Sequence, residues 1–489
     1  MSRLITVLTA TFAVMIAVVN AYGSPRGWDS YDSNPIWFNA SINERDFLNA
    51  AATISGLTNP EGYASFPYAI IDEGWAEDGT GGWLLDGYAR PIVNPNLFPS
   101  ANKGWGFSPL SKQLNAMGMK LGLWLIKGIP QLAVDLDLPI YGTTYTARDI
   151  AIPGKACPWH KDMLWVNVSH PGGQAYYNSL AQLYSNWGVE YIKMDCIFGA
   201  DLDGAEVEAV STAFKMYGQN QILSLSPGTA ATPALGRQYG NLSNIYRITN
   251  DLWDCWSYAV PTSTSGCFGG ISVINSTRRI VEFAQADLLA LPSHSNGRIV
   301  IGATNPDPDM LAFGLIRLKS VRQSLFTAGM KRYMFGLWTI TQSPLILGGD
   351  LSAMPNDLRQ MLGSKLMFAA HQLADRPALL QFVDTADGDV ASVGHSVWAS
   401  NHTVIVGAFF YGVFAEANDP SSTASLDLST VAAPPYPTPL IPHYDVIDAI
   451  TNERVSIVAT GSPLNGTLNY NDGCVYLFLP RAQTGKVNL

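Results

Sequence analysis

Residues 175–195 read AYYNSLAQLYSNWGVEYIKMD. In the first part, Ala175 to Trp187, the residues Tyr176, Leu180, Leu183, Tyr184 and Trp187 recur at three- and four-residue spacing, which predicts a helix with one apolar face. The second part, Tyr191 to Asp195, is a short β-rich run that ends on a carboxylate. Working outward, the same unit recurs along the chain. Further strands are predicted at Gly27 to Tyr31, Tyr68 to Asp72, Lys120 to Leu125, Gln221 to Leu225, Ile245 to Thr249, Arg298 to Gly302 and Pro344 to Gly348. Helical periodicity spans Ser41 to Ser55, Ser108 to Met117, Ala205 to Tyr217, Arg278 to Leu291 and Val321 to Thr339. Eight strands alternating with helices imply an α/β fold in which a parallel sheet closes into a (β/α)₈ TIM barrel.

The barrel is expected over residues 24–378. From 379 to 489 the texture changes to strand-like runs, Val390 to Trp398, Thr403 to Phe410, Asp445 to Asp448 and Val475 to Leu479, with proline-rich punctuation at Ala433 to Pro442. That segment is expected to form a small C-terminal antiparallel β domain. At the other end, Met1-Ser2-Arg3, an apolar run from Leu4 to Val19 and then Asn20-Ala21-Tyr22-Gly23 follow the order of a signal peptide, expected over residues 1–23. Six N-x-S/T sequons, at Asn39, Asn167, Asn241, Asn275, Asn401 and Asn465, suit a secreted, glycosylated chain.

Of the 489 residues, 47% are hydrophobic and 14% charged, so a large core is available and disorder is excluded as the general state. The net charge of -10 argues against nucleic acid and anionic membrane surfaces as partners, since both require a basic face. In an oxidising compartment the five cysteines are expected to pair: Cys255 with Cys267 by proximity, Cys157 with Cys196 as the second bridge, and Cys474 left over. The seven histidines are scattered and no C-x-x-C or H-E-x-x-H occurs, so neither a metal nor another cofactor is expected.

In such a barrel the site is built at the C-terminal ends of the strands. Those positions are acidic and aromatic: Asp72-Glu73-Gly74-Trp75 after the second strand, Lys193-Met194-Asp195 at the fourth, Arg247 to Asp251 at the sixth, Asn305 to Met310 after the seventh, with Trp28, Tyr31 and Trp124 at the same end. A single Asp there reads as a cap or loop former; four strands doing it together describe a pocket. Carboxylates, indoles and Lys/Arg without clustered histidine or a G-x-S-x-G elbow suit a neutral sugar. Glycoside cleavage with retention needs one ionised carboxylate and one carboxylic acid, about 5–5.5 Å apart. Asp195, two residues from Lys193 on the same strand face, suits the nucleophile. Asp251, among Leu252 and Trp253 and close to a charged Asp195, is expected to have a raised pKa and to act as acid/base, with Asp254 as local competitor.

At these residues the chain resembles glycoside hydrolase family 27, the melibiase or α-galactosidase family. The resemblance rests on YAIIDEGW (68–75), YIKMD (191–195), YRITNDLWDCW (246–256), PDPDML (306–311) and PLILGGDL (344–351), and covers almost the whole barrel. It implies a β-sandwich tail, Asp195 as nucleophile, Asp251 as acid/base and a structural role for Asp254. Asp72, Lys193, Arg247, Asp309 and Trp124 are then expected to hold the glycone, with Tyr31 standing where many members have a stacking Trp. The chain departs from the family pattern at Gly74, a place often held by a cysteine, at Cys196, which follows the nucleophile directly, and in a long insertion from Lys127 to Cys157. Glu73 stands where α-galactosidases of the family usually carry a second Asp near the C4 and C6 hydroxyls; members acting on β-L-arabinopyranosides resemble this chain in carrying Glu. One methylene of steric change is worth about 1–3 kcal/mol, so activity on both sugars is expected. The resemblance implies as partner an oligo- or polysaccharide with terminal galactose or arabinopyranose. A lectin-like or transglycosylating protein on the same barrel is the alternative reading.

Overall fold

The computed structural model describes residues 24–34, 41–57, 65–197, 204–218, 221–228, 231–257, 270–286, 288–289, 294–295, 298–299, 305–318, 320–373, 378–384, 393–401, 405–411, 421–427, 443–459, 463–469 and 472–480. The expected signal peptide, Cys267 and the sequon at Asn39 lie outside the described residues.

Eight parallel strands form one curled sheet: β1 (Arg26–Asp29), β2 (Tyr68–Ile71), β3 (Lys120–Ile126), β4 (Val189–Asp195), β5 (Ile222–Ser226), β6 (Ile245–Arg247), β7 (Asn305–Asp307) and β8 (Leu345–Leu347). Neighbours pair in the order β7-β6-β5-β4-β3-β2-β1-β8. The ring closes just beyond β7, where Leu311 bridges Leu347 in parallel: its N–H donates to the Ile346 carbonyl at 2.7 Å and its carbonyl accepts from Gly348 at 2.9 Å.

The seventh strand differs from the expectation. Arg298–Ile299 pairs antiparallel with His294–Ser295, and it is Asn305–Asp307 that lies beside β6, with Asp307 opposite Arg247. Asn-Pro-Asp carries no apolar alternation, so periodicity could not find it; only the neighbouring strand makes it one. The expected helix from Val321 also begins later. Val321–Gln323 pairs with Leu315–Arg317 as a hairpin, and the helix runs Ala328–Ile340, opened by the Thr327 side chain accepting from the Met330 N–H.

Period-two alternation divides each strand between two cores. Tyr68 and Ile70 of β2, Tyr191 of β4, Ile222, Ile245 and Ile346 cluster inside the barrel with Met310. Ala69, Ile71, Ile192, Met194, Leu345 and Leu347 point outward into the larger core under the helices. The interior is tight: a Cβ on Gly122 of β3 would stand 2.5 Å from Ile70 Cγ1, so this position admits only glycine. By the same alternation Lys193 and Asp195 follow Tyr191 on the inner face, and Arg247 follows Ile245.

Outside the strands, Glu44–Ser55, Ser108–Ala116, Pro171–Asn186, Gly204–Tyr217 and Val273–Gln285 bury their apolar faces. Trp187 caps its helix instead of continuing it. The segment between β3 and β4, which contains the expected insertion Lys127 to Cys157 and extends beyond it, folds into a small sheet, Ile129–Pro130, Met163–Val166 and Ala151–Ala156, with two short helices.

In the C-terminal segment a six-stranded antiparallel sheet is ordered Ala378–Asp384, Val393–Asn401, Ile405–Tyr411, Asp472–Pro480, His443–Asp448, Arg454–Ala459. Ser421–Asp427 and Pro463–Asn469 form a separate pair. Trp398, Val475 and Leu477 enter the same core as Trp338 and Leu337 of the Ala328–Ile340 helix, and Arg332 Nε donates to Asp472 Oδ1 at 2.8 Å. The C-terminal sheet is therefore packed directly on barrel helices. Among the described residues no helix is long and apolar enough to cross a membrane.

Candidate active site

The C-terminal ends of the barrel strands enclose a cavity of about 440 Å³, lined by Tyr31, Asp72, Glu73, Lys193, Asp195, Arg247, Asp251 and Asp309. It falls within the size range of small-molecule sites. Eight of the nine residues expected to touch a sugar or its anomeric carbon thus share one space. Trp124 is the ninth; it is 2% exposed and stands behind the wall, its indole N–H donating to Asp195 Oδ2 at 3.3 Å.

Two cations organise the carboxylates. On the floor, Lys193 Nζ lies 2.8 Å from Asp72 Oδ2 and 3.3 Å from Asp29 Oδ2. Asp72 is held from behind by its own N–H, which donates to Ser30 Oγ at 3.0 Å, while its Oδ1 accepts the Glu73 N–H at 2.9 Å. On the far wall Arg247 spends every nitrogen: Nε donates to the Thr249 carbonyl at 2.8 Å, one terminal nitrogen to Ser226 Oγ at 2.9 Å, and the other to Asp251 Oδ1 at 2.7 Å. Asp309 Oδ1 lies 3.6 Å from Arg247, and its Oδ2 accepts the Leu252 N–H at 2.6 Å.

Backbone strain marks both walls. Cys196, with φ +58°, turns the chain so that its N–H reaches Asp195 Oδ1 at 2.8 Å. Asp309 has φ +80°, and its N–H bonds Asp307 Oδ1 at 2.8 Å. Left-handed backbone at non-glycine residues costs of order 1–3 kcal/mol each and persists where surrounding contacts over-determine it. Here the Cys157–Cys196 disulfide supplies one such restraint, tying the inserted segment to the end of β4. Cys255 is also disulfide-bonded, with its expected partner Cys267 outside the described residues, and Cys474 is a buried thiol.

The protonation balance corrects the expected polarity. Burial raises the Asp195 pKa, against the opposing charges of Arg247 and Lys193. Partial desolvation at the cavity wall acts to raise Asp251, whose side chain is half exposed, but the Arg247 charge and hydrogen bond outweigh it and hold Asp251 below the ordinary carboxylate range. Sequence proximity to Leu252 and Trp253 suggested the reverse, because the guanidinium four residues earlier was not seen to face the carboxylate. Around the pair, burial and neighbouring carboxylates push Asp29, Asp32 and Glu73 well above their usual values, and Asp307 up to about 7. With several carboxyls sharing Lys193 and Arg247, some are held neutral and can donate hydrogen bonds.

Asp254 is drawn away from the cavity: its side chain is fully buried, paired with Arg322 and accepting from the Leu325 N–H at 2.7 Å. Trp28 also leaves the mouth, packing on Phe47 at 5.6 Å and donating to the Gly349 carbonyl at 3.0 Å. Residues not anticipated include Asp29, the second partner of Lys193, and Ser226, Asn250, Trp159 and Trp253, which line the cavity. Asp29 ends β1 as Asp195 ends β4, so the strand-end rule itself could have found it.

No family model matches the chain. The α-galactosidase of Oryza sativa is 23% identical over 349 residues, spanning 71% of this chain and 62% of the rice protein. Alpha-galactosidase A of Cellvibrio japonicus is 22% identical over 366 residues, 74% of this chain and 71% of its own. Among solved structures, a family 27 β-L-arabinopyranosidase from Geobacillus stearothermophilus superposes with TM-score 0.74 at 26% identity, covering 95% of this chain and 98% of that one. Over nearly its whole length the chain is thus similar to a solved member of glycoside hydrolase family 27. Alpha-galactosidase I of Mortierella vinacea shares the fold at TM-score 0.65 and 17% identity, over 95% and 99% of the two chains. The carboxylate-lined mouth lies at the strand ends where such a barrel builds its site, and among the described residues no group of His, Cys, Asp and Glu is arranged to hold a metal.

Proposed function

We propose that this chain is a family 27 retaining exo-glycosidase that removes terminal α-D-galactoside or β-L-arabinopyranoside units by double displacement. The observation that carries the reading is the convergence of Asp195 and Asp251 on one cavity whose other polar groups are fixed by Lys193 and Arg247. Asp195 attacks the anomeric carbon, its two oxygens steadied by the Cys196 N–H and the Trp124 indole. Asp251, whose side chain is 54% exposed, faces the side from which a leaving group departs; it protonates the glycosidic oxygen and then takes a proton from the water that opens the glycosyl ester.

For Asp251 to carry that proton the Arg247 pair has to loosen, and glycone hydroxyls competing for the guanidinium are the agent that does so. Asp72, Lys193, Arg247 and Asp309 then hold the hydroxyls, with Tyr31 as the apolar wall. Glu73 lines the cavity and is held toward the neutral form, so it can fill the space of a C5 hydroxymethyl group without adding a second full charge beside Asp195. The solved arabinopyranosidase from Geobacillus stearothermophilus supports arabinopyranosides as one substrate, and the curated α-galactosidases support galactosides as the other. Secretion is the compartment that the N-terminal pattern favours.

Two assays test this. Asp195→Asn is expected to abolish turnover of nitrophenyl α-D-galactopyranoside and β-L-arabinopyranoside; retention of turnover overturns the mechanism. Glu73→Asp is expected to shift the ratio of the two rates toward the galactoside by 10- to 200-fold at most; an unchanged ratio removes Glu73 from the selection of the sugar.

A further inference from the structure

Asp72, Lys193, Arg247 and Asp309 are assigned to the glycone. They leave unexplained an indole that the segment between β3 and β4 brings to the same cavity. Trp159 lines it and remains 37% exposed, whereas Trp124, whose ring centre lies 6.5 Å away, is 2% exposed. A large aromatic face kept open beside a polar cavity is an unspent apolar surface.

Its position is built with care. Cys157, two residues earlier, is bonded to Cys196, the residue after Asp195. Across the same turn the Cys157 N–H donates to the Met163 carbonyl at 3.0 Å and the Met163 N–H to the His160 carbonyl at 2.9 Å. His160, the next residue, is clamped by Asp162 and lies 3.8 Å from Glu77, and its ring packs on Trp83 at 5.4 Å. Burial alone would lower the His160 pKa, but the two carboxylates raise it to about 9, so the clamp is charged at neutral pH. A disulfide on one side and an ionic clamp on the other fix a tryptophan at the rim, next to the carboxylate that Trp124 touches.

We propose that Trp159 is the stacking platform for the leaving group, taking a neutral sugar unit whose flat C–H face rests on the indole while the glycone occupies the cavity below. The neutrality follows from the carboxylate excess around Lys193 and Arg247, which repels an anionic unit. The assignment rests on the hydrolase reading above and adds to it the residue that senses what the glycone is attached to.

The test compares two substrates of one glycone, the glycosyl fluoride, which has no leaving-group ring, and the neutral disaccharide. In Trp159→Ala the KM for the disaccharide is expected to rise about tenfold, while kcat/KM for the fluoride stays within twofold of wild type; Trp159→Phe restores most of the disaccharide KM. Equal losses on both substrates, or an unchanged disaccharide KM, overturn the proposal. Should wild type turn over neither substrate, the hydrolase reading fails by itself. Calorimetric titration of Asp195→Asn with the disaccharide then decides the platform: affinity lost on adding Trp159→Ala supports it, and unchanged affinity overturns it.

Discussion

Arg247, the last residue of β6, and Asp251, four residues later, are joined at 2.7 Å, and this pair makes Asp251 the more acidic of the two central carboxyls. With Asp251 pulled down and Asp195 pushed up, the free protein favours the proton on Asp195, the opposite of the arrangement that attack requires. In a chemical-shift titration of the two carboxyls, Asp251 is expected to titrate below Asp195 in the free protein. With free galactose or arabinopyranose bound, Asp251 is expected to move up, as the hydroxyls compete for Arg247. Asp251 titrating above Asp195 in the free protein would refute this.

Trp124 acts on Asp195 through one indole N–H. Replacing it with Phe keeps the ring and removes the donor. A hydrogen bond to a charged group contributes about 1.5–3 kcal/mol, and at 3.3 Å the low end applies. Trp124→Phe is expected to lower kcat/KM about tenfold and to move the acid limb of its pH profile to higher pH, since the ionised form of Asp195 loses a donor. Unchanged kinetics would assign Trp124 to packing alone.

His371 is buried, its Nε2 2.8 Å from the Ser343 carbonyl, and burial together with the Arg26 charge lowers its pKa to about 3. The unfolded chain therefore binds a proton there between the ordinary value near 6.5 and about 3, while the folded chain does not. The stability it contributes is present above pH 6.5 and is lost as pH falls toward 3. Thermal melts of His371→Gln are expected to depend less on pH across that window than those of wild type.

Asp254 is fully buried and paired with Arg322, whose side chain is 29% exposed. Arg322→Ala leaves that carboxylate with backbone donors alone, and breaking a buried pair by removing one partner costs about 3 kcal/mol. Denaturant unfolding is the measurement. Arg322→Ala with Asp254→Asn is expected to recover part of the loss, which distinguishes an unpaired charge from a lost contact.

The strand-end carboxylates, the inward facing of Lys193 and Asp195, and the alternation of strand and helix were all legible in the sequence, because each depends on a local period that repeats along the chain. The family motifs carried the choice of Asp195 and Asp251 on the same local basis. What tertiary structure alone decided has a different physical origin. β7 is a strand because β6 lies beside it, not because Asn305-Pro306-Asp307 has the composition of one. Trp28 turns outward to Phe47, and Trp124 donates to Asp195 without lining the cavity itself. Trp159 is held at the cavity by the disulfide of Cys157 to Cys196, 39 positions later, a distance over which periodicity says nothing. The charge on Asp251 is set through space by Arg247, in competition with burial. Sequence therefore determined which groups gather at one end of the barrel, and the folded structure determined which of them hold protons, since a pKa answers to neighbours brought together from different strands.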